Sequence, residues 1–362
     1  MKKKFRSFLI KNKKKKFFII SGKNSYLKSN FDKIFKNELK QIDKFIFFKK
    51  KYLPELKELK NIIKEIRKYN PDIIIAIGGG CALDYAKIAS VSSYIKNFDF
   101  KKFHKLKIKK KIKLIAIPTT AGSGSEVTEG AVLYENKIKF SCEHKLITPD
   151  DFYLIPDLVI GNSKKIKANS GFDALSQSIE SILSNKANAK SIDFASKALK
   201  LIFNYFKKFY SSPTSRNAYK MQLAANFAGK AICISKTTAP HAVSYPFSSH
   251  FKIGHGYAVS LTFNEFLKFN YKNIDKAKNP NILMKKFLKI FKLTETKNIY
   301  ELLFYIDELK QLIKFEQKLS NLSIDLTKNI SKILKGINVK RLKNNPIELR
   351  VDDIKNILNQ IK

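Results

Sequence analysis

A chain of 362 residues with 44% hydrophobic and 12% aromatic side chains can bury packed cores and exceeds the usual size of one, which excludes disorder and predicts two domains. No run approaches the roughly 18–20 apolar residues that span a bilayer, so no membrane partner is expected. The 71 Lys and Arg against 30 Asp and Glu leave a formal charge of +41. Such a field draws anions, but the cations are scattered over the chain, and solvated lysine faces are preferred to nucleic-acid binding.

The N-terminus, MKKKFRSFLIKNKKKKFFIISG, starts like a secretion signal. Four further lysines interrupt it before a useful apolar run, and no small-residue cleavage site follows. Residues 17–22 (FFIISG) read as a first strand, the segment after them as a helix, and 44–48 (KFIFF) as a second strand. Pro54, suited to a first helical turn, opens ELKELKNIIKEIRKY, where apolar residues recur at helical spacing. Residues 72–77 (DIIIAI) form a continuous apolar strand of the kind buried on both faces. A helix (ALDYAKIASV), a Lys-rich loop at 101–113 and a strand at 113–118 (KLIAIP) follow. This alternation predicts a Rossmann-like α/β domain with a parallel sheet over 1–162. Beyond it, segments 171–185, 188–208, 214–235, 256–270, 281–292, 299–319 and 324–335 carry helical periodicity, which predicts an all-α domain over 163–362. Pro156 and Gly161 mark the hinge. Cys81, Cys142 and Cys233 form neither a CxxC pair nor a disulfide framework, which points to a reducing, cytoplasmic setting.

Three groups of residues carry chemistry. Gly78, Gly79 and Gly80 end a buried strand and open a helix, where glycine lets a phosphate approach and the free N–H groups of the helix start attract anions. Asp84 lies in the first turn of that helix. The loop Pro118–Glu126 (PTTAGSGSE) follows the next strand and offers Thr119, Thr120 and Ser123 as hydroxyl and backbone donors. Two such loops after successive strands predict a dinucleotide site at the strand C-terminal ends. In the helical half, Asp173 and Gln177 are spaced i, i+4, with Glu180 on the same face. His241 and His255, with Pro246 and Gly254 between them, belong to a helix–loop–helix turn. A carboxylate and two imidazoles suit Fe2+ or Zn2+.

GGGCALDYAK, IPTTAGSGSEVT, GFDALSQSIES and the segment from His241 to GHG resemble, in order and spacing, the four hallmark segments of the iron-containing (group III) alcohol dehydrogenase family. The resemblance implies the architecture shared with dehydroquinate synthase-like enzymes and an NAD(P)-dependent alcohol dehydrogenase or aldehyde reductase. It implies a metal on Asp173, Gln177, His241 and His255, where Gln177 stands in place of the family's histidine. It also implies nucleotide contacts from Gly79, Gly80, Thr119, Thr120, Ser123 and Lys139 of the ENKIKF hairpin. Tyr245 occupies the position of a proton-relay histidine, with His250 as the alternative. Many members carry an aspartate at the end of the first strand. Here Gly22 and Lys23 stand there, which favours NADPH over NADH.

The stretch KTTAPHAVSYPFSSHFKIGHGYAVSLTF most resembles the phosphonoacetaldehyde reductases within that family. This implies a small anionic aldehyde as partner and a role in phosphonate biosynthesis, with donors near Lys236, Thr237, Thr238, Ser244 and Ser248. A homodimer is also considered. The rivals are a relative acting on a simple alcohol or polyol, a dehydroquinate synthase-like lyase, which needs a denser basic phosphate-binding set in the helical half, and a non-catalytic basic nucleic-acid-binding protein.

Overall fold

The computed structural model describes every residue except 96–99, 101, 102, 104, 105, 107, 109, 110 and 137, so most of the expected Lys-rich loop lies outside the described residues. The chain divides into two compact units, 1–163 with 214–222, and 164–213 with 223–362.

The first unit is built on a five-stranded parallel sheet in the order β2-β1-β3-β4-β7. Its strands are β1 (Lys16–Gly22), β2 (Asp43–Lys49), β3 (Ile73–Gly78), β4 (Lys113–Pro118) and the short β7 (Asp151–Phe152). A hairpin of β5 (Gly130–Glu135) and β6 (Ile138–Glu143) forms a separate antiparallel pair. Strand alternation sorts the side chains into two layers. Phe17, Ile19, Ile73, Ile75, Ile77, Ile115 and Ile117 pack with Phe5 and Leu9 of helix α1 (Lys2–Lys11). Tyr26 of α2 (Lys23–Leu27), Phe31 of α3 (Phe31–Ile34) and Leu39 of α4 (Lys36–Lys40) complete that layer. On the other face Phe18, Ile20, Ile74, Ala76, Leu114 and Ala116 pack with α5 (Leu56–Tyr69) and α6 (Gly80–Ser92). The sheet is thus doubly wound. The chain reverses its direction of travel between β1 and β3, and open α/β sheets bind ligands at such a switch point.

The N-terminus, for which no element was expected, is helical, and two local expectations differ from the structure. The basic N-terminus is the helix α1, because Phe5 and Leu9 fall one turn apart and both are buried in the sheet layer. Pro54 precedes α5 rather than opening it, since Glu55 is the N-cap. The segment after β1 folds as three short helices instead of one.

The remaining helices are α7 (Asp157–Ile160) in the first unit, then α8 (Lys164–Leu183), α9 (Ala189–Ser211) and α10 (Ser215–Ser235). They continue with α11 (Ala239–Phe251), α12 (His255–Lys272), α13 (Pro280–Thr294) and α14 (Ile299–Leu312). Last come α15 (Leu326–Lys335), α16 (Val339–Leu342) and α17 (Val351–Gln360). A core of Val243, Phe247, Ala258, Leu261, Phe266, Ile333 and Leu358 joins α11 and α12 to α15 and α17. Pro246 lies inside α11 without ending it. A helical proline leaves the carbonyl four residues earlier without its partner. Here that carbonyl, of Ala242, accepts the N–H of Asn338 at 3.3 Å. Among the described residues no helix is long and apolar enough to cross a membrane.

Candidate metal centre and dinucleotide cradle

In the second unit, α8 contributes three polar side chains to one buried face, at Asp173, Gln177 and Glu180. His241 stands on the first turn of α11, and His255 is the first residue of α12. Asp173 Oδ1 lies 3.2 Å from His241 Nε2 and 4.0 Å from His255 Nε2. One ligand atom from each of the three residues lies within 4.8 Å of the others. Asp173 and His241 are buried, whereas the His255 side chain is 40% exposed, so the cluster has one open side.

Two glycines make this approach possible. A Cβ on Gly256 would sit 1.9 Å from the backbone oxygen of Asn169 and 3.0 Å from the Asp173 nitrogen. A Cβ on Gly254 would meet Asn169 Oδ1 at 2.1 Å, the atom that accepts the Tyr257 N–H. Only without those methyls can the start of α12 lie against the backbone of α8, and His255 is carried to Asp173 by that contact. Gly171 serves α8 in the same way, because a Cβ there would lie 2.1 Å from the Phe206 ring. The helix itself begins at Lys164, a full turn and more before the expected start near Gly171.

The electrostatics are those of a cation between carboxylates. Burial opposes a charge on His241, but Glu180 and Asp173 outweigh it and push its pKa up to about 10. Burial would likewise raise the Asp173 carboxyl, yet its contact with His241 and the nearby His255 hold it below its usual value. Gln177 does not sit as a free donor. Its Nε2 donates to Asp173 Oδ1 at 3.0 Å, and its Oε1 is buried without a partner.

A metal ion fits these residues. Oxygen and imidazole ligands bind Zn2+ at about 2.0–2.2 Å, so ligand atoms around one ion stand about 3–4 Å apart, as Asp173 already does from each histidine. The orphaned Gln177 oxygen adds to the fit, since a half-turn of the amide exchanges its nitrogen for that oxygen beside Asp173.

Tyr245 follows His241 by one turn, is 7% exposed, and its ring centroid lies 6.2 Å from that of His255. His250 is nine residues beyond His241 on the same helix, half a revolution round, and packs beside Phe251. Of the donors expected for an anion, Thr238 is engaged by Glu180, and Ser244 donates to the His241 carbonyl. The Ser248 hydroxyl is buried without a partner.

In the first unit the glycine turn lies at the C-terminal end of β3. Gly78 has φ +155°, and a Cβ there would also meet Ala82 at 2.8 Å. Gly79 caps α6 and Gly80 begins it, with Thr120 Cγ2 and Ser123 Oγ each 3.3 Å from where their Cβ atoms would lie. Turn and loop therefore face each other across a space that side chains would fill. The Thr119 N–H bonds the Gly78 carbonyl at 2.9 Å and sets that spacing. Gly22, at the end of β1, is close to Ser25 Oγ and to Lys49 at the end of β2.

Asp84 does not face the cradle with a free carboxylate. One oxygen accepts from Ser125 Oγ at 2.9 Å and the other from the Val132 N–H at 3.0 Å. Buried Lys87 donates to Ser125, Thr128 and the Gly130 carbonyl. Burial raises the Asp84 carboxyl pKa, while Lys87 and, more weakly, Lys139 act against it. Asp84 and Lys87 thus fasten the PTTAGSGSE loop and the hairpin to α6. Sequence spacing gave no sign of this role, because the partners lie 38–48 residues away.

Comparison with known proteins accords with this geometry. The iron-containing alcohol dehydrogenase family matches residues 4–156, and the C-terminal family of Fe-containing alcohol dehydrogenases matches 167–362. The 4-hydroxybutyrate dehydrogenase of Clostridium kluyveri is 33% identical over 63% of this chain and 61% of its own length. The phosphonoacetaldehyde reductase of Streptomyces viridochromogenes is 27% identical over 58% of this chain and 56% of its own. The matches therefore span less than two thirds of these curated relatives. The structure of sulfoacetaldehyde reductase from Bifidobacterium kashiwanohense in complex with NAD+ superposes with a TM-score of 0.87 at 25% identity, covering 98% of this chain and 94% of that one. The chain belongs to the iron-containing alcohol dehydrogenase family.

Proposed function

With that membership as premise, we propose that the chain reduces a small anionic aldehyde with hydride from a nicotinamide dinucleotide, and that the aldehyde is phosphonoacetaldehyde, converted to 2-hydroxyethylphosphonate. The observation that carries the reading is the meeting of Asp173, His241 and His255 from three helices on one open-sided cluster. When bound, the metal supplies Lewis acidity toward the carbonyl oxygen and the dinucleotide supplies the hydride. Asp173, His241 and His255 hold the metal, and Gln177 is the fourth, weaker ligand. Gly79 and Gly80 present the N-terminal amides of α6 to the pyrophosphate, with Thr119, Thr120, Ser123 and Lys139 around it. Tyr245, beside His255, passes a hydrogen bond toward the product oxygen. A phenol hydroxyl serves there as a hydrogen-bond donor rather than as a base.

Two relatives bear on the substrate, since the phosphonoacetaldehyde and sulfoacetaldehyde reductases are named for acetaldehydes that carry an anionic group. The charge of +41 favours the approach of such a substrate. For the cofactor, Gly22 and Lys23 at the end of β1, with Lys49 alongside, favour NADPH. The free cysteines are compatible with a cytoplasmic setting. A second reading, oxidation or reduction of an unphosphonylated hydroxyacid or alcohol, rests on the 4-hydroxybutyrate dehydrogenase similarity.

The test is oxidation of NADPH and of NADH by protein loaded with Fe2+ or Zn2+, against phosphonoacetaldehyde, succinate semialdehyde and propanal. Turnover of either of the last two without phosphonoacetaldehyde refutes the substrate. A kcat/KM with NADH tenfold above that with NADPH refutes the cofactor preference.

A further inference from the structure

Glu180 is the buried carboxylate for which the metal site has no direct use. It is 1% exposed, two turns beyond Asp173 on the same face of α8. Both its oxygens are committed to the start of α11. Oε1 is 2.5 Å from His241 Nδ1, and Oε2 accepts both the Thr238 N–H, at 2.7 Å, and the Thr238 hydroxyl, at 2.9 Å. Thr238 is the N-cap of α11 and makes no side-chain cap bond of its own, so Glu180 supplies the acceptor which that helix start otherwise lacks. The same carboxylate thus anchors the backbone that carries His241 and grips the ring itself.

We propose that Glu180 is the positioning residue of the metal site, fixing His241 as an Nε2 ligand. The inference rests on the metal reading above. With Nδ1–H donated to Glu180, Nε2 is the nitrogen left to meet a metal ion, and it is the one turned to Asp173, at 3.2 Å. Each ring nitrogen is therefore assigned by a different carboxylate of one helix, and the separation of Asp173 and Glu180 along α8 sets the orientation of the ring. A carboxylate is the side chain that does this, because it accepts on both oxygens. A glutamine can accept from His241 or from the Thr238 N–H, but its amide hydrogens oppose the other donor. An aspartate is one methylene too short to keep both contacts. A hydrogen-bonded carboxylate behind a ligand histidine orients the ring, raises its basicity and is worth about 10–100-fold in metal affinity.

The experiment measures the dissociation constants of Zn2+ and Co2+ by competition with a chromophoric chelator, and the visible Co2+ spectrum, in the full-length protein. The variants are E180Q, T238V and H255A. We expect E180Q to weaken both metals about 10–100-fold and to alter the Co2+ bands. T238V keeps the His241 contact and is expected to stay within a few-fold of the parent. Metal binding by E180Q within twofold of the parent, with an unchanged Co2+ spectrum, overturns the proposal if H255A loses metal. If H255A binds metal as well as the parent, the metal reading itself fails. Should E180Q not fold, 15N-histidine spectra of the Zn2+-loaded parent decide the matter. A His241 ring protonated at Nδ1 and metal-bound at Nε2 supports the proposal, and the opposite tautomer overturns it.

Discussion

Replacing Gly256 with alanine tests whether the metal centre depends on the close seating of α12 on α8. The new methyl would begin 1.9 Å from the Asn169 backbone oxygen, whereas an ordinary carbon–oxygen contact is about 3.3 Å or more, so the helix start must retreat by about 1.4 Å. The obstacle is backbone inside α8, which cannot swing aside as a side-chain tip can. His255 is the adjacent residue and moves with it. Ligand distances tolerate only about 0.2 Å, so a shift of this size removes His255 from the coordination sphere rather than straining it. Overpacking adds about 1–3 kcal/mol of destabilisation, with roughly 2–4 °C of melting temperature per kcal/mol for a unit of this size. Gly254 provides the internal control. Its Cβ would meet only the Asn169 amide tip, so G254A should cost less in both respects, through loss of the Tyr257 N–H bond. The assay is chelator competition for Zn2+ together with thermal melts of the metal-free proteins. G256A binding Zn2+ within twofold of the parent, or G254A proving the more damaging, would refute the seating argument.

Three further outcomes follow from the same geometry. Q177H should bind Zn2+ about tenfold more tightly, some 1.4 kcal/mol, because an imidazole replaces an amide whose oxygen has no partner; unchanged or weaker binding would show that position 177 does not face the ion. K87M removes the shared donor of Ser125, Thr128 and the Gly130 carbonyl, and costs about 1 kcal/mol for each bond lost. It should lower both the urea midpoint and the affinity for dinucleotide, and dinucleotide binding untouched by the loss would separate the loop from the cradle. Lys310 is 2% exposed, and burial lowers its pKa to about 8 from 10.5 despite Asp307 nearby. The unfolded chain therefore binds more protons between those values, and stability should rise with pH from about 8 to about 10.5. K310M should be more stable than the parent by up to about 3 kcal/mol at pH 7, with the advantage gone near pH 10.5; a difference independent of pH would refute it.

The parts of the molecule legible in the sequence are those whose cause is local. The apolar run at Ile73–Ile77 implied a strand buried on both faces, and the glycines after it implied a close approach. The spacing of Asp173, Gln177 and Glu180 implied a shared helical face. Elements whose cause lies elsewhere in the chain were hidden. The lysines of α1 mask two core side chains, Phe5 and Leu9, that become apolar anchors only against the sheet. Pro246 reads as a breaker until Asn338 takes up the Ala242 carbonyl. Asp84 reads only as a first-turn residue behind the glycines until Ser125 and Val132 claim its oxygens. Glu180 shows the same limit within the site. Its place on the face of Asp173 follows from its position in the sequence, but its purpose does not, because Thr238 and His241 lie about 60 residues on. A residue that ligates can be suspected from its own chemistry, whereas one that positions a ligand is defined by its partners.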